Sequence, residues 1–190
     1  LKNNPDDIRT ALPERVIAAD LLLGDTEAQL KAAQLLVLAG RWDDAKARAD
    51  QILRNDPKSS SALILRGSIA AGWKNLDGAL LYVNDAVALA PKDARTHVSL
   101  GVLQLSKARR EEAEASFRRA VAEDPTSTVG HLALANLYWA MGRTADPEGD
   151  RARQEARRLA RGGGAWKRRA AVAIEPRARD RAARHARAWQ

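Results

Sequence analysis

Apolar and small residues recur along most of this chain at helical spacing. Ala45, Ala49 and Ile52 fall at i, i+4 and i+7; so do Ala79, Val83 and Ala86, and again Ala113, Phe117 and Ala120. Such stripes predict amphipathic helices, and nothing between them alternates with the period of a strand. The breaks between stripes carry turn chemistry. Gly40 can close the helix containing the apolar run Leu35 to Ala39, because glycine enters the left-handed conformation freely. Asp43-Asp44 and Glu111-Glu112 stand where new helices open, with their charge at the positive end of the helix dipole. Thr26 with Gln29 reads as a capping box for the first of these helices. Trp42 and Leu76 are expected in the turns between helices, packing down onto the pair.

The stripes themselves repeat. Pro57, Pro91 and Pro125 are evenly spaced, and Ala45, Ala79 and Ala113 keep the same interval. So do Ala33, Gly67, Gly101 and Ala135, and a further series runs Ala49, Val83, Phe117. A period of about 34 residues means a stacked array of two-helix units, each closed by a proline that cannot continue a helix. Gly67 and Gly101 are expected where helices approach closely.

These landmarks resemble the tetratricopeptide repeat (TPR) family. The copies run over residues 26–59, 60–93 and 94–127, with a partial fourth over 128–143 carrying Ala135, Tyr138 and Gly142. The clearest contains Leu100-Gly101, Ala113, Phe117, Ala120 and Asp124-Pro125. The resemblance implies an all-α fold, a right-handed α-α superhelix (TPR solenoid) of antiparallel helix pairs with a concave and a convex face. One unit buries too little apolar surface to stand alone, and stacking supplies a continuous core.

The two ends leave the period. Residues 1–25 read as the end of a preceding repeat, with Pro5, followed by a helix through Leu12, Val16, Ile17 and Leu21 that covers the first repeat. The chain begins at Leu1, so it reads as a fragment or processed segment, and its compartment stays open between bacterial cytoplasm and periplasm. At the other end the expected alanine of the fourth repeat is Pro147 and the expected bulky residue is Arg151. Residues 144–190 form a basic Arg/Ala-rich tail, aperiodic in its helices or disordered. Asp146-Pro147-Glu148 is a fair helix start there, with weak stripes through Ala152, Ala156, Leu159 and Ala160 and through Trp166, Ala170, Ala173 and Ile174.

Charge sharpens that division. The formal net charge is +8; residues 1–141 hold 18 basic and 18 acidic residues, so residues 142–190, with 14 basic and 6 acidic, hold the whole excess. Three readings of the tail stand: a solvated extension, a shifted reading frame of a GC-rich gene, or a tether to nucleic acid or another anionic surface by counterion release. Basic charge without a nucleic-acid fold argues for the last only weakly.

Candidate chemistry is sparse. No phosphate-binding glycine loop, zinc-hydrolase helix or nucleophile elbow occurs, no cofactor is implied, and the expectation is a non-enzyme. The chain has no cysteine, hence neither disulfides nor thiolate ligands, and no apolar run approaches the ~18 residues of a membrane span. Gly162-Gly163-Gly164 reads as a linker. His97 and His131, one repeat apart, suggest metal ligands at first sight, but they share a repeat position that packs against the neighbouring helix, and no carboxylate or thiol completes a set.

The resemblance implies that the first helix of each pair builds a groove for a peptide or a helix of a partner protein. By repeat position it presents Leu30, Gln34, Val37, Ile64, Ser68, Arg95, Val98, Val102, Leu105, Leu132, Asn136 and Trp139. The Lys/Arg/Asn clamp by which some TPR domains hold a carboxyl terminus is not reproduced. The set is mainly apolar and suits an amphipathic helix or apolar segment, with Gln34 and Asn136 available to a backbone.

Overall fold

The computed structural model describes residues 24–143 and 147–161. Eight helices run through them: α1 (Thr26–Leu38), α2 (Trp42–Asn55), α3 (Ser60–Gly72), α4 (Leu76–Leu89), α5 (Ala94–Ser106), α6 (Arg110–Glu123), α7 (Thr128–Ala140) and α8 (Pro147–Arg161). No strand occurs among the described residues. Consecutive helices pack as the pairs α1–α2, α3–α4, α5–α6 and α7–α8, and each second helix then packs on the first helix of the next pair. First helices also touch one another, α1 to α3, α3 to α5 and α5 to α7, whereas second helices do not. An array in which only one set of helices meets its own kind curves toward that set. The first helices therefore line the inner, concave face of an all-α solenoid.

The core follows the sequence registers. Ala45, Ala79 and Ala113 are fully buried, as are Ala49, Val83 and Phe117 to within 1%. Side-chain size is traded across each pair. A Cβ on Gly67 would meet Val83 Cγ2 at 2.6 Å and the Ala79 carbonyl oxygen at 3.2 Å, and one on Gly101 would meet the Phe117 ring at 2.5 Å. Ala33, in the same register, shares its core with the smaller Ala49. Trp42 and Leu76 are not in turns; they are the first residues of α2 and α4. They still pack inward, Trp42 over Gly72 at the end of α3 and Leu76 against the Val83 cluster.

Both ends of the first helices are built by repeated devices. The N-cap positions are Asp25, Ser59, Asp93 and Ser127, themselves one repeat apart. Asp25 accepts from the amides of Glu27 and Ala28, which replaces the expected Thr26–Gln29 capping box; Thr26 is already helical. Gln29 is buried and instead accepts a hydrogen bond from Arg48 on α2. Each first helix ends in the same double closure. In α1 the Gly40 amide donates to Val37 and the Arg41 amide to Leu36, with Gly40 at φ +73°. This Schellman geometry needs a left-handed residue one place beyond the C-cap. Gly142 supplies it after α7, but Lys74 (φ 61°) and Ala108 (φ 59°) occupy it after α3 and α5.

The fourth pair departs from the period. Helices α2, α4 and α6 start at 42, 76 and 110, so the period expects 144, yet α8 begins at Pro147. Proline suits a first helical position because its missing N–H would be unpaired there anyway. From that start Ala152 and Ala156 are buried and Leu159 is half-buried, with Ala152 packed among Leu134, Leu137 and Tyr138 of α7. The expected N-terminal helix before residue 24 and the tail from 162 onward, with its glycine triplet and the Trp166 stripe, lie outside the described residues.

Candidate peptide groove

The inner face is built from four registers of the first helices. In one, Leu30, Ile64, Val98 and Leu132 are all half-buried. In the next, four residues on, Gln34, Ser68, Val102 and Asn136 are all exposed. Three further on, Val37, Ala71, Leu105 and Trp139 are half-buried again. The three rows lie side by side on the concave face and form the candidate trough across the helices. The fourth register holds Glu27, Ser61, Arg95 and Val129.

The candidates fall into three kinds. Leu30 and Val37 pack against the core around Leu36 and Ile69, while Val98 and Leu105 pack against the core around Phe117 and Leu134. These side chains serve the fold and show only an edge to the trough. Val102 is 49% exposed and has no such duty. The third kind is Arg95. Its guanidinium is folded back on the N-cap of its own helix, with Nε 3.0 Å from Asp93 Oδ1 and Nη2 2.7 Å from Oδ2. The Arg95 hydrogen bonds hold the Asp93 carboxyl below its ordinary range and raise the guanidinium. Arg95 is thus occupied at home, another reason a carboxylate clamp is missing.

Sequence reasoning missed four members. Glu27, Ser61 and Val129 stand in the register of Arg95, with Val129 on α7 55% exposed, and Ala71 completes the Val37 row. All were findable by stepping one or two repeats from a chosen position. Ser68, in the exposed row, is internally bonded: its Oγ donates to the Ile64 carbonyl at 3.1 Å. With its proton so used, the hydroxyl is left chiefly as an acceptor. The two half-buried rows are apolar in every repeat. The exposed positions differ: the first two repeats show Gln34 and Ser68, whereas α5 and α7 add Val102 and Val129 beside Arg95 and Asn136.

The histidines do structural work. Both rings are buried, and each Nε2 donates to a proline carbonyl in the preceding turn, His97 to Pro91 at 2.7 Å and His131 to Pro125 at 2.9 Å. The turn proline and the histidine thus repeat as a bonded pair. No group of His, Asp or Glu that could hold a metal occurs among the described residues, and no described helix is long and apolar enough to cross a membrane.

Comparison with known proteins agrees with this geometry. The sequence matches no functionally curated protein. The tetratricopeptide repeat model matches residues 30–94 and 75–128, together more than half of the chain. Among solved structures, TTC0263, a thermophilic TPR protein of Thermus thermophilus, is similar with a TM-score of 0.70 and 22% identity over 87% of this chain and 89% of that one. MamA (residues 41 to the end) from Desulfovibrio magneticus RS-1 gives a TM-score of 0.51 and 21% identity over 81% and 84%. YrrB, described as a TPR protein with an unusual peptide-binding site, gives 0.51 and 18% over 81% and 78%. At these identities the structural likeness speaks for the fold, and with the family match it establishes that the chain belongs to the tetratricopeptide repeat family.

Proposed function

We propose that this chain is a non-catalytic docking scaffold that holds an apolar helix or extended segment of a partner protein in its concave trough. TPR arrays in general are protein–protein interaction scaffolds, and one structural neighbour, YrrB, is described as having a peptide-binding site. The observation that carries the reading is the exposed row Gln34, Ser68, Val102 and Asn136 between two half-buried apolar rows. A helix laid there buries its apolar stripe against Val102, Leu105, Leu132 and Trp139 and leaves its polar face in water. Gln34 and Asn136 supply side-chain amides to a ligand backbone. Because Arg95 is paired with Asp93, the trough carries little net charge to attract an acidic peptide.

The test is selection from a displayed peptide library on the full chain, followed by titration calorimetry with the selected peptides. Peptides with apolar residues at helical spacing are expected, and Val102→Glu should weaken them at least tenfold, since it buries an unpaired carboxylate costing roughly 2 kcal/mol or more. Val102 is the right probe and Val98 is not, because Val98 packs on the Phe117 core. Unchanged affinity in a Val102→Glu chain of native circular dichroism would place binding elsewhere. Binding that disappears with added salt would move it to the basic tail.

A further inference from the structure

The last described pair, α7–α8, is held by other means than the pairs before it. Helices α2, α4 and α6 send Ile52, Val83 and Phe117 into the core. Helix α8 offers Gly149, Ala152 and Ala156, with Leu159 half-buried at its far end. Small side chains remove little apolar area from water, so the hydrophobic hold is weaker in proportion. The same pair contains two buried polar atoms without a hydrogen-bond partner, His131 Nδ1 on α7 and Arg153 Nη2 on α8. An unmet buried group opposes the closed state, because water would satisfy it on opening.

Against this stands a two-pronged ion pair from the preceding repeat. Arg118 on α6 reaches Glu148 in the first turn of α8, with Nε 2.9 Å from Oε1 and Nη2 2.5 Å from Oε2. The same guanidinium donates to the Tyr138 hydroxyl, which in turn donates to Glu114. Tyr138 lies directly under Gly149, where a Cβ would sit 3.0 Å from the tyrosine Cβ. One arginine therefore ties α6, α7 and α8 together at the point where α8 begins.

We propose that α8 is a detachable cover whose hold on the array is set by the Arg118–Glu148 pair, so that ionic strength and the charge at Glu148 govern a locally open state. In that state α7 loses the helix that backs it. Helix α7 carries Leu132, Asn136 and Trp139, so opening would also loosen the C-terminal half of the trough; that consequence alone rests on the groove reading.

The experiment is hydrogen exchange by mass spectrometry on the full chain without ligand, which makes it independent of what the trough binds. Raising salt from about 20 mM to about 0.5 M shortens the screening length from roughly 20 Å to a few ångströms. Amides of 150–161 should then exchange about threefold to fivefold faster, the effect of losing one partly exposed ion pair, while those of α5 and α6 stay unchanged. Glu148→Gln should show the faster α8 exchange at low salt already and respond no further. The proposal is overturned by α8 exchange that ignores salt, by Glu148→Gln behaving as the unaltered chain, or by α5 and α6 accelerating in parallel, which would mean global unfolding.

Discussion

The pairs α3–α4 and α5–α6 and the pair α7–α8 follow one plan with different fillings. In the central pairs a glycine on the first helix makes room for a large residue on the second, Val83 above Gly67 and Phe117 above Gly101. In the last pair the exchange is reversed: the large residue is Tyr138 on the first helix, and Gly149 on the second makes the room. A tyrosine brings a hydroxyl that must be satisfied, and it is, by Arg118 and Glu114. Burial and the Glu114 hydrogen bond both push the Tyr138 hydroxyl's titration above its ordinary range. The central pairs thus put their large apolar residue on the second helix, whereas the last pair has small residues there and a polar network around Tyr138. In a solenoid, where stability is nearly a sum of local terms, that difference decides whether α7–α8 opens before the central pairs.

The comparison can be broken most forcefully at its two aromatic residues. Phe117→Ala removes a fully buried ring and should cost ~3–5 kcal/mol in urea denaturation, unfolding the centre of the array. Tyr138→Phe keeps the ring and removes only its hydrogen bonds, so ~1–2 kcal/mol is expected, with the loss confined to α7 and α8. If Tyr138→Phe cost as much as Phe117→Ala, the two regions would not differ in kind.

The glycines give an intermediate effect. Gly101→Ala forces a Cβ to 2.5 Å from the Phe117 ring and should cost ~1–3 kcal/mol by overpacking, read as a lower midpoint of thermal unfolding. Gly149→Ala meets Tyr138 only at 3.0 Å, and the ~1 kcal/mol gain in helix propensity offsets the crowding. A near-zero change is expected there, and a loss as large as that of Gly101→Ala would contradict the looser packing of α8.

The smallest effect lies in the turns. Lys74 and Ala108 hold the left-handed position that Gly40 and Gly142 hold elsewhere. Ala108→Gly should therefore stabilise by ~0.5–1 kcal/mol, the left-handed strain relieved less the added freedom of the unfolded chain. Gly142→Ala should destabilise by a similar ~1 kcal/mol. A destabilised Ala108→Gly chain would show that its turn is not strained.

Much of the fold was readable because the sequence itself repeats. The alanines, the turn prolines and the paired acids at helix starts all stand where the period puts them. The N-cap series Asp25, Ser59, Asp93 and Ser127 was equally readable, being the right residue types at the right interval. The Thr26–Gln29 pair obscured it, because a capping box one residue along satisfies the same local rule. The left-handed Lys74 and Ala108 could not be read, since neither residue type favours that conformation. The closing hydrogen bonds of α3 and α5 impose it. In the trough, register assigned the residues but not their exposure. Val98 and Val102 look alike in sequence, yet one packs on Phe117 and the other faces water.

The sequence by itself determined the unit, its length and its stacking, because each depends on contacts within one repeat or with the next. The tertiary structure alone decided what joins α8 to the repeats before it. The start at Pro147 and the stripe through Ala152 and Ala156 are legible in the sequence, but the fit of Gly149 over Tyr138 is not. Only in the tertiary structure, too, do Arg118 and Glu148, far apart in the chain, become one ion pair. Long-range pairing of charges leaves no periodic trace, whereas the burial of apolar surface between repeats leaves one in every repeat.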